Sequence, residues 1–202
     1  MSKLISIYFA GSIQKGSEKN EFEWSSESIN ELAVALQPYQ LVSLNPSERT
    51  DDLSDSLSVF GRDMTQVYAA DMVFVDLRAK RGIGVGAEMM WAKFHKRPVI
   101  GWAPKNTHYQ RDKTIMLGQE ISGYVHPFVA GLCDTLVSSM KEAADWIKDH
   151  MSNAQGIKGI HTISSYMTKY RTEQFEKDIP MKQIVQRSVE LKRRVLTADE
   201  LH

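Results

Sequence analysis

The chain has 202 residues, with 25 lysines and arginines against 25 aspartates and glutamates, and one cysteine. That length suits one domain with its own core plus an appendage. The zero formal charge gives no global pull towards nucleic acid or an anionic membrane, and the lone Cys133 excludes an intramolecular disulfide and a cysteine-based metal cluster. No window approaches the ~20 apolar residues of a membrane span. The opening MSKLISIYFAG is too short in apolar residues for a signal peptide, so the expected compartment is the cytoplasm.

Leu4 to Ala10 (LISIYFA) is apolar, rich in β-formers and stopped by Gly11, which predicts a buried strand. Ser17 to Leu36 has apolar residues at helical spacing, with Pro38 behind them as a stop. Tyr39 to Leu44 reads as a second strand and Asn45 to Ser56 as a polar loop. Val59 to Ala70 predicts a helix, Met72 to Leu77 (MVFVDL) a third strand, Gly84 to His95 a helix, and Arg97 to Trp102 a fourth strand. Ala103 to Ser122 is polar with weak periodicity. Asp134 to Val137 predicts a fifth strand and Ser139 to His150 a helix. Strands alternating with helices predict an α/β fold, a parallel sheet covered on both faces. A catalytic domain is expected over 1–150. The stretch MSNAQGIKG then reads as a linker, and 151–202 as a helical extension of two helices, the second from Met181 to Leu196. That second helix is amphipathic and basic, but no aromatic platform accompanies the charge, so nucleic acid is not an expected partner.

Ligands of open parallel sheets bind beyond the carboxyl ends of the strands. Three clusters are expected there: Tyr8 to Gly16, Asp71 to Glu88 with its glycine turn RGIGVGAE, and Asp63 on the helix leading into the third strand. Gly82, Gly84 and Gly86 follow a GxGxG spacing after the third strand, which fits neither the dinucleotide fingerprint nor a phosphate-binding P-loop. Glu88 is expected in the first turn of a helix, where the dipole favours its ionised form. There it reads either as a helix-stabilising carboxylate or as a nucleophile. Asp76, near the end of its strand, has the better functional address than Asp71. Tyr8 reads either as core or as a hydrogen-bond donor that orients a carboxylate. Gly11, Ser12 and Lys15 read as an ordinary polar turn or as a phosphate-binding loop. His126 has no partner at metal-ligand spacing.

The motifs IYFAGSIQKG, GRDM, ADMVFVDL, GIGVGAEMMWA and KRPVIGW resemble the nucleoside 2-deoxyribosyltransferase family. Within it they look most like the branch that hydrolyses nucleoside 5′-monophosphates, and the likeness spans about residues 4 to 148. The resemblance implies a flavodoxin-like fold of five parallel strands, a homodimer or larger homo-oligomer, a small nucleotide or nucleoside as substrate, and retaining chemistry with no metal or organic cofactor. It implies Glu88 as nucleophile, Tyr8 as the tyrosine that orients it, and Asp63 as a second acid at the sugar or the departing base. Residues around His126, Pro127 and Phe128 are the expected contribution of a neighbouring subunit. Gly82 stands where the transferases carry an aspartate and the hydrolases a serine, and Gln14 or Lys15 stands where the hydrolases carry an arginine. Phosphate binding would then rest on Ser12, Lys15 and Arg81. Three rival readings remain: a base-exchanging transferase, a nucleotide sensor without turnover, and cleavage of NAD.

Overall fold

The most apolar runs of the chain become strands because they have helices on both faces to be buried against. The computed structural model describes residues 3–13, 23–153 and 156–197. β1 (Leu4–Ala10), β2 (Gln40–Leu44), β3 (Met72–Asp76) and β4 (Val99–Trp102) are followed by an antiparallel hairpin, β5 (Gln110–Met116) and β6 (Gln119–Val125), and then by β7 (Thr135–Val137). Five of these pair in parallel in the order β2-β1-β3-β4-β7. This is the flavodoxin-like order, with its topological switch between β1 and β3. All five residues of β3 are buried, as a strand with helices on both faces requires.

Between the strands run α1 (Ser26–Ala35), α2 (Ser56–Ala69), α3 (Ile83–Phe94), α4 (Pro127–Leu132) and α5 (Met140–Asn153). Side chains alternate across a strand, so the two faces of β1 have different company. Ile5, Ile7 and Phe9 join Phe74, Leu32, Leu36 and Ile147 in the core under α1 and α5. Tyr8 turns the other way, towards α2 and α3. Buried Lys93 of α3 pairs with Asp134, whose carboxylate also accepts from the Val99 amide at 2.6 Å, tying α3 to the loop before β7.

Helix starts follow the caps. Ser25 accepts from the Ser28 amide at the start of α1, and Asp55 from the Leu57 and Ser58 amides at the start of α2. The helix expected from Ser17 therefore begins, among the described residues, at Ser26; residues 14–22 lie outside them. The polar stretch Ala103 to Ser122 contains most of the β5–β6 hairpin, which turns tightly through Leu117 and Gly118, both at positive φ. Both hairpin strands are largely exposed, so they lack the apolar alternation that would reveal them.

The chain divides into two compact units, 1–157 and 158–202. In the second, α6 (Ile160–Glu173), a 3-10 turn (Phe175–Lys177), α7 (Ile179–Gln186) and α8 (Val189–Leu196) close around Phe175 and Val185. The single helix expected from Met181 to Leu196 is two helices, because Ser188 caps α8 by accepting from the Leu191 amide. No described helix is long and apolar enough to cross a membrane.

Candidate active site

Tyr8 and Glu88 meet beside the switch between β1 and β3. Tyr8 forms the last of the five β1–β2 pairs, aligned with Leu44 on one side and Val73 on the other. Its hydroxyl donates to Glu88 Oε1 at 2.9 Å across 80 residues of sequence. Glu88 Oε2 is buried and has no hydrogen-bond partner among the described residues. One carboxylate oxygen is thus held and the other is left for a ligand.

Glu88 is the sixth residue of α3, not a first-turn residue as expected. The dipole effect fades within the first turn, so it does not set this group's ionisation. Burial does: it pushes the Glu88 pKa up to about 7, against the Tyr8 hydrogen bond, which lowers it, and with the nearby Asp63 charge, which raises it. The same burial and the same two carboxylates push the Tyr8 phenol well above its usual range, so Tyr8 stays a proton donor to Glu88. Tyr8→Phe therefore raises the Glu88 pKa further. A carbon-13 carboxyl titration reads this directly, and an unchanged titration would mean the hydroxyl has no hold on Glu88.

Asp63, in the middle of α2, sits close enough for its charge to act on both Tyr8 and Glu88. It is partly buried, and burial raises its pKa against the pull of Arg49 and Arg62. Arg49 Nη1 approaches Asp63 Oδ1 at 3.3 Å, Arg62 Nη1 at 3.5 Å, and Arg49 also grips Asp51 at 2.5 Å. Sequence reasoning missed both arginines. Arg49 lies in the aperiodic polar loop after β2, and nothing local to it signals a partner 14 residues away.

The other expected residues form a second group at the ends of β1 and β3. Asp76 is fully buried, and its carboxylate is taken by Arg78 at 2.8 Å and Arg81 at 2.6 Å. It reaches a ligand only through these arginines. Arg81 Nη1 donates to Ser12 Oγ at 2.6 Å, and the Arg81 amide donates to the Tyr109 hydroxyl at 2.8 Å. Arg78 lies 3.7 Å over the Trp102 ring. At Gly11 a Cβ would stand 3.0 Å from Cδ1 of Trp24, whose indole nitrogen donates to the Ala10 carbonyl, so the turn after β1 closes on a tryptophan. Lys15 lies outside the described residues.

The three glycines do not share one surface. Gly84 faces Glu88, and a Cβ there would come within 4.0 Å of Oε1. Gly82 and Gly86 instead line an apolar cleft of about 410 Å³ between α3 and α4, with Ile83, Met90, His126 and Phe128. Gly82 caps α3 with no side chain, so no side chain satisfies the first helical amides. The expected His126–Phe128 segment borders this cleft, which Glu88 does not line.

The chain matches no protein-family model and no curated protein. The solved structures it is similar to include two 2-deoxyribosyltransferases. One is a 2-desoxiribosyltransferase from Leishmania mexicana, at 15% identity and a TM-score of 0.45, covering 75% of this chain and 99% of that one. The other is a 2-deoxyribosyltransferase from the psychrotolerant bacterium Bacillus psychrosaccharolyticus, at 14% identity and a TM-score of 0.40, covering 69% of this chain and 90% of that one.

Proposed function

We propose that this chain is an enzyme that hydrolyses the N-glycosidic bond of a nucleoside 5′-monophosphate, with Glu88 as nucleophile. The observation that carries this reading is the buried Glu88 carboxylate, held by Tyr8 through one oxygen and unpartnered at the other. The ionised Glu88 attacks C1′ of the sugar, the C1′–N bond breaks, and the base leaves with the electron pair and takes up a proton. Water then attacks C1′, the ester bond breaks, and Glu88 regains its carboxylate while sugar 5-phosphate departs. Tyr8 keeps the attacking group oriented. Asp63, braced by Arg49 and Arg62, is suited to contact the sugar or to assist the departing base. No step calls for a metal or an organic cofactor.

The phosphate falls to the turn after β1. Ser12 and Arg81 are in contact there, and Lys15 lies three residues beyond Ser12 in the sequence. Lys15→Ala accordingly raises the Michaelis constant for monophosphates much more than for the matching nucleosides. Equal effects on both would remove Lys15 from the phosphate site. The near alternative, base exchange, lacks an acid at Gly82 to handle the incoming base.

The reading is tested by chromatography of ribo- and deoxyribonucleosides and their 5′-monophosphates, each with and without an acceptor base. Free base from the monophosphates is the expected result. A new nucleoside in the acceptor lanes makes the chain a transferase. Silence in every lane contradicts the hydrolase and leaves a sensor or, if nicotinamide is released from NAD, a different glycosidic substrate.

A further inference from the structure

Two arginines and two aspartates close a ring beside the Tyr8–Glu88 pair. Arg49 grips Asp51 with two donors, Nε at 2.9 Å and Nη2 at 2.5 Å, and turns Nη1 to Asp63 Oδ1 at 3.3 Å. Arg62 closes the ring, 3.5 Å from Asp63 Oδ1 and 3.8 Å from Asp51 Oδ1. Both cations therefore hold Asp63 by the same oxygen. Asp63 Oδ2 accepts no hydrogen bond from a described residue, and 15% of the side chain stays exposed. Glu88 is built alike, with Oε1 held by Tyr8 and Oε2 unpartnered. The site thus offers two carboxylates, each anchored at one oxygen and open at the other.

The two arginines have different tasks. Arg62 Nη2 donates to the Glu48 carbonyl at 2.7 Å and Nη1 reaches the Pro46 carbonyl at 3.5 Å, which ties the loop after β2 to α2. Asn45 secures the start of that loop, its Oδ1 accepting from the Ser47 amide and hydroxyl. The side chain of Arg49, only 7% exposed, holds no loop backbone: among the described residues its hydrogen bonds go to Asp51 and Asp63. Its planar fork serves both acids at once. That matters because the Asp63 charge acts on Glu88 and Tyr8. Two half-buried carboxylates in one site compete for a proton unless cations favour charge on one of them. Asp63 has such cations in Arg49 and Arg62, while Glu88 leans on the Tyr8 hydroxyl.

We propose that Arg49 is a positioning residue of this site: gripped by Asp51, it holds Asp63 as a charged acceptor with Oδ2 turned to the substrate beside Glu88 Oε2. Arg49 itself touches no reacting atom. Asp63 accepts a hydrogen bond from the bound sugar or base, and Glu88 is left as the acid whose ionisation governs the attack. Balanced by two guanidiniums, Asp63 is a poor rival to Glu88 as nucleophile. The role rests on the glycosidic reading, but the bracing of Asp63 can be measured without turnover.

Base release from a nucleoside 5′-monophosphate and carbon-13 carboxyl titration, both on the full chain, test this in Arg49→Gln and Arg49→Lys. Arg49→Gln is expected to lower kcat about a hundredfold with KM nearly unchanged, the cost of a displaced group at the chemistry. It also raises the Asp63 pKa, because a cation that lowers it is gone. Arg49→Lys recovers part of both, since lysine keeps the charge but not the fork. Should Arg49→Gln fail to fold by far-ultraviolet circular dichroism, Asp51→Asn frees Arg49 from its outer anchor and is expected to lower kcat in the same way. An unchanged kcat, a rise in KM alone, or an Asp63 titration that does not move would each overturn the proposal. A wild type that releases no base, with Asp63 moved as expected in Arg49→Gln, would sink the glycosidic reading and leave the bracing standing.

Discussion

Glu88→Ala ends base release, with a loss of at least about a thousandfold, the scale seen when a covalent nucleophile is removed. The geometry makes this the largest single effect on activity. The unpartnered Oε2 is the only atom of the Tyr8–Glu88 pair left free to attack, and no described carboxylate takes its place. Asp63 is engaged by Arg49 and Arg62, and Asp76 by Arg78 and Arg81. The variant keeps its fold, because the side chain it loses is a desolvated acid and not a core hydrocarbon. Wild-type turnover in Glu88→Ala would remove Glu88 from the chemistry. The nucleophile must also be ionised, so base release by the wild type is expected to climb with pH through an apparent pKa near the Glu88 value of about 7.

Glu88→Gln produces the largest expected effect on stability, and its sign depends on pH. Below pH 4.5 the carboxyl is protonated both folded and unfolded, and it adds no pH dependence. Between 4.5 and about 7 the unfolded chain gives up the proton while the folded chain keeps it. The folded state then binds more protons, so stability falls as pH rises through that window and levels off above it. A glutamine imitates the protonated acid and still accepts from Tyr8. Glu88→Gln therefore matches the wild type near pH 4 and exceeds it at pH 8 by about 3 kcal/mol, from the 4.5-to-7 shift at ~1.4 kcal/mol per unit. In a chain of this size that is roughly 6–12 °C in melting temperature. Parallel melting curves at the two pH values check it, and a gap that is absent at pH 8 would mean the carboxylate is not destabilised by burial. The stabilised variant would be the inactive one, as expected where a site carries strain for the sake of chemistry.

The strands were legible because burial writes itself into a sequence. Leu4 to Ala10 is predicted and observed over the same residues, and the other four sheet strands shift by one or two residues at their ends. The β5–β6 hairpin was not legible, because exposed strands need no apolar face. Its turn uses Leu117-Gly118 and not the asparagine-glycine pair that would announce it. In the site, Tyr8 and Glu88 were legible as candidates, but their contact at 2.9 Å belongs to the fold alone. The ionic frame was less visible still. Arg49 reaches Asp63 from a loop without periodicity, and Arg81 joins Ser12 across 69 residues. Helix α3 starts at Ile83, which takes Glu88 out of the first turn and hands control of its ionisation from the helix dipole to burial.

The central claim is a covalent bond between Glu88 and the sugar. Mass spectrometry of the enzyme quenched in acid during turnover of a nucleoside 5′-monophosphate tests it most directly. The expected result is a gain of one sugar phosphate, less water, on the peptide that contains Glu88, lost again as turnover completes. Base released with no adduct on any peptide, or with the adduct on another residue, would contradict it.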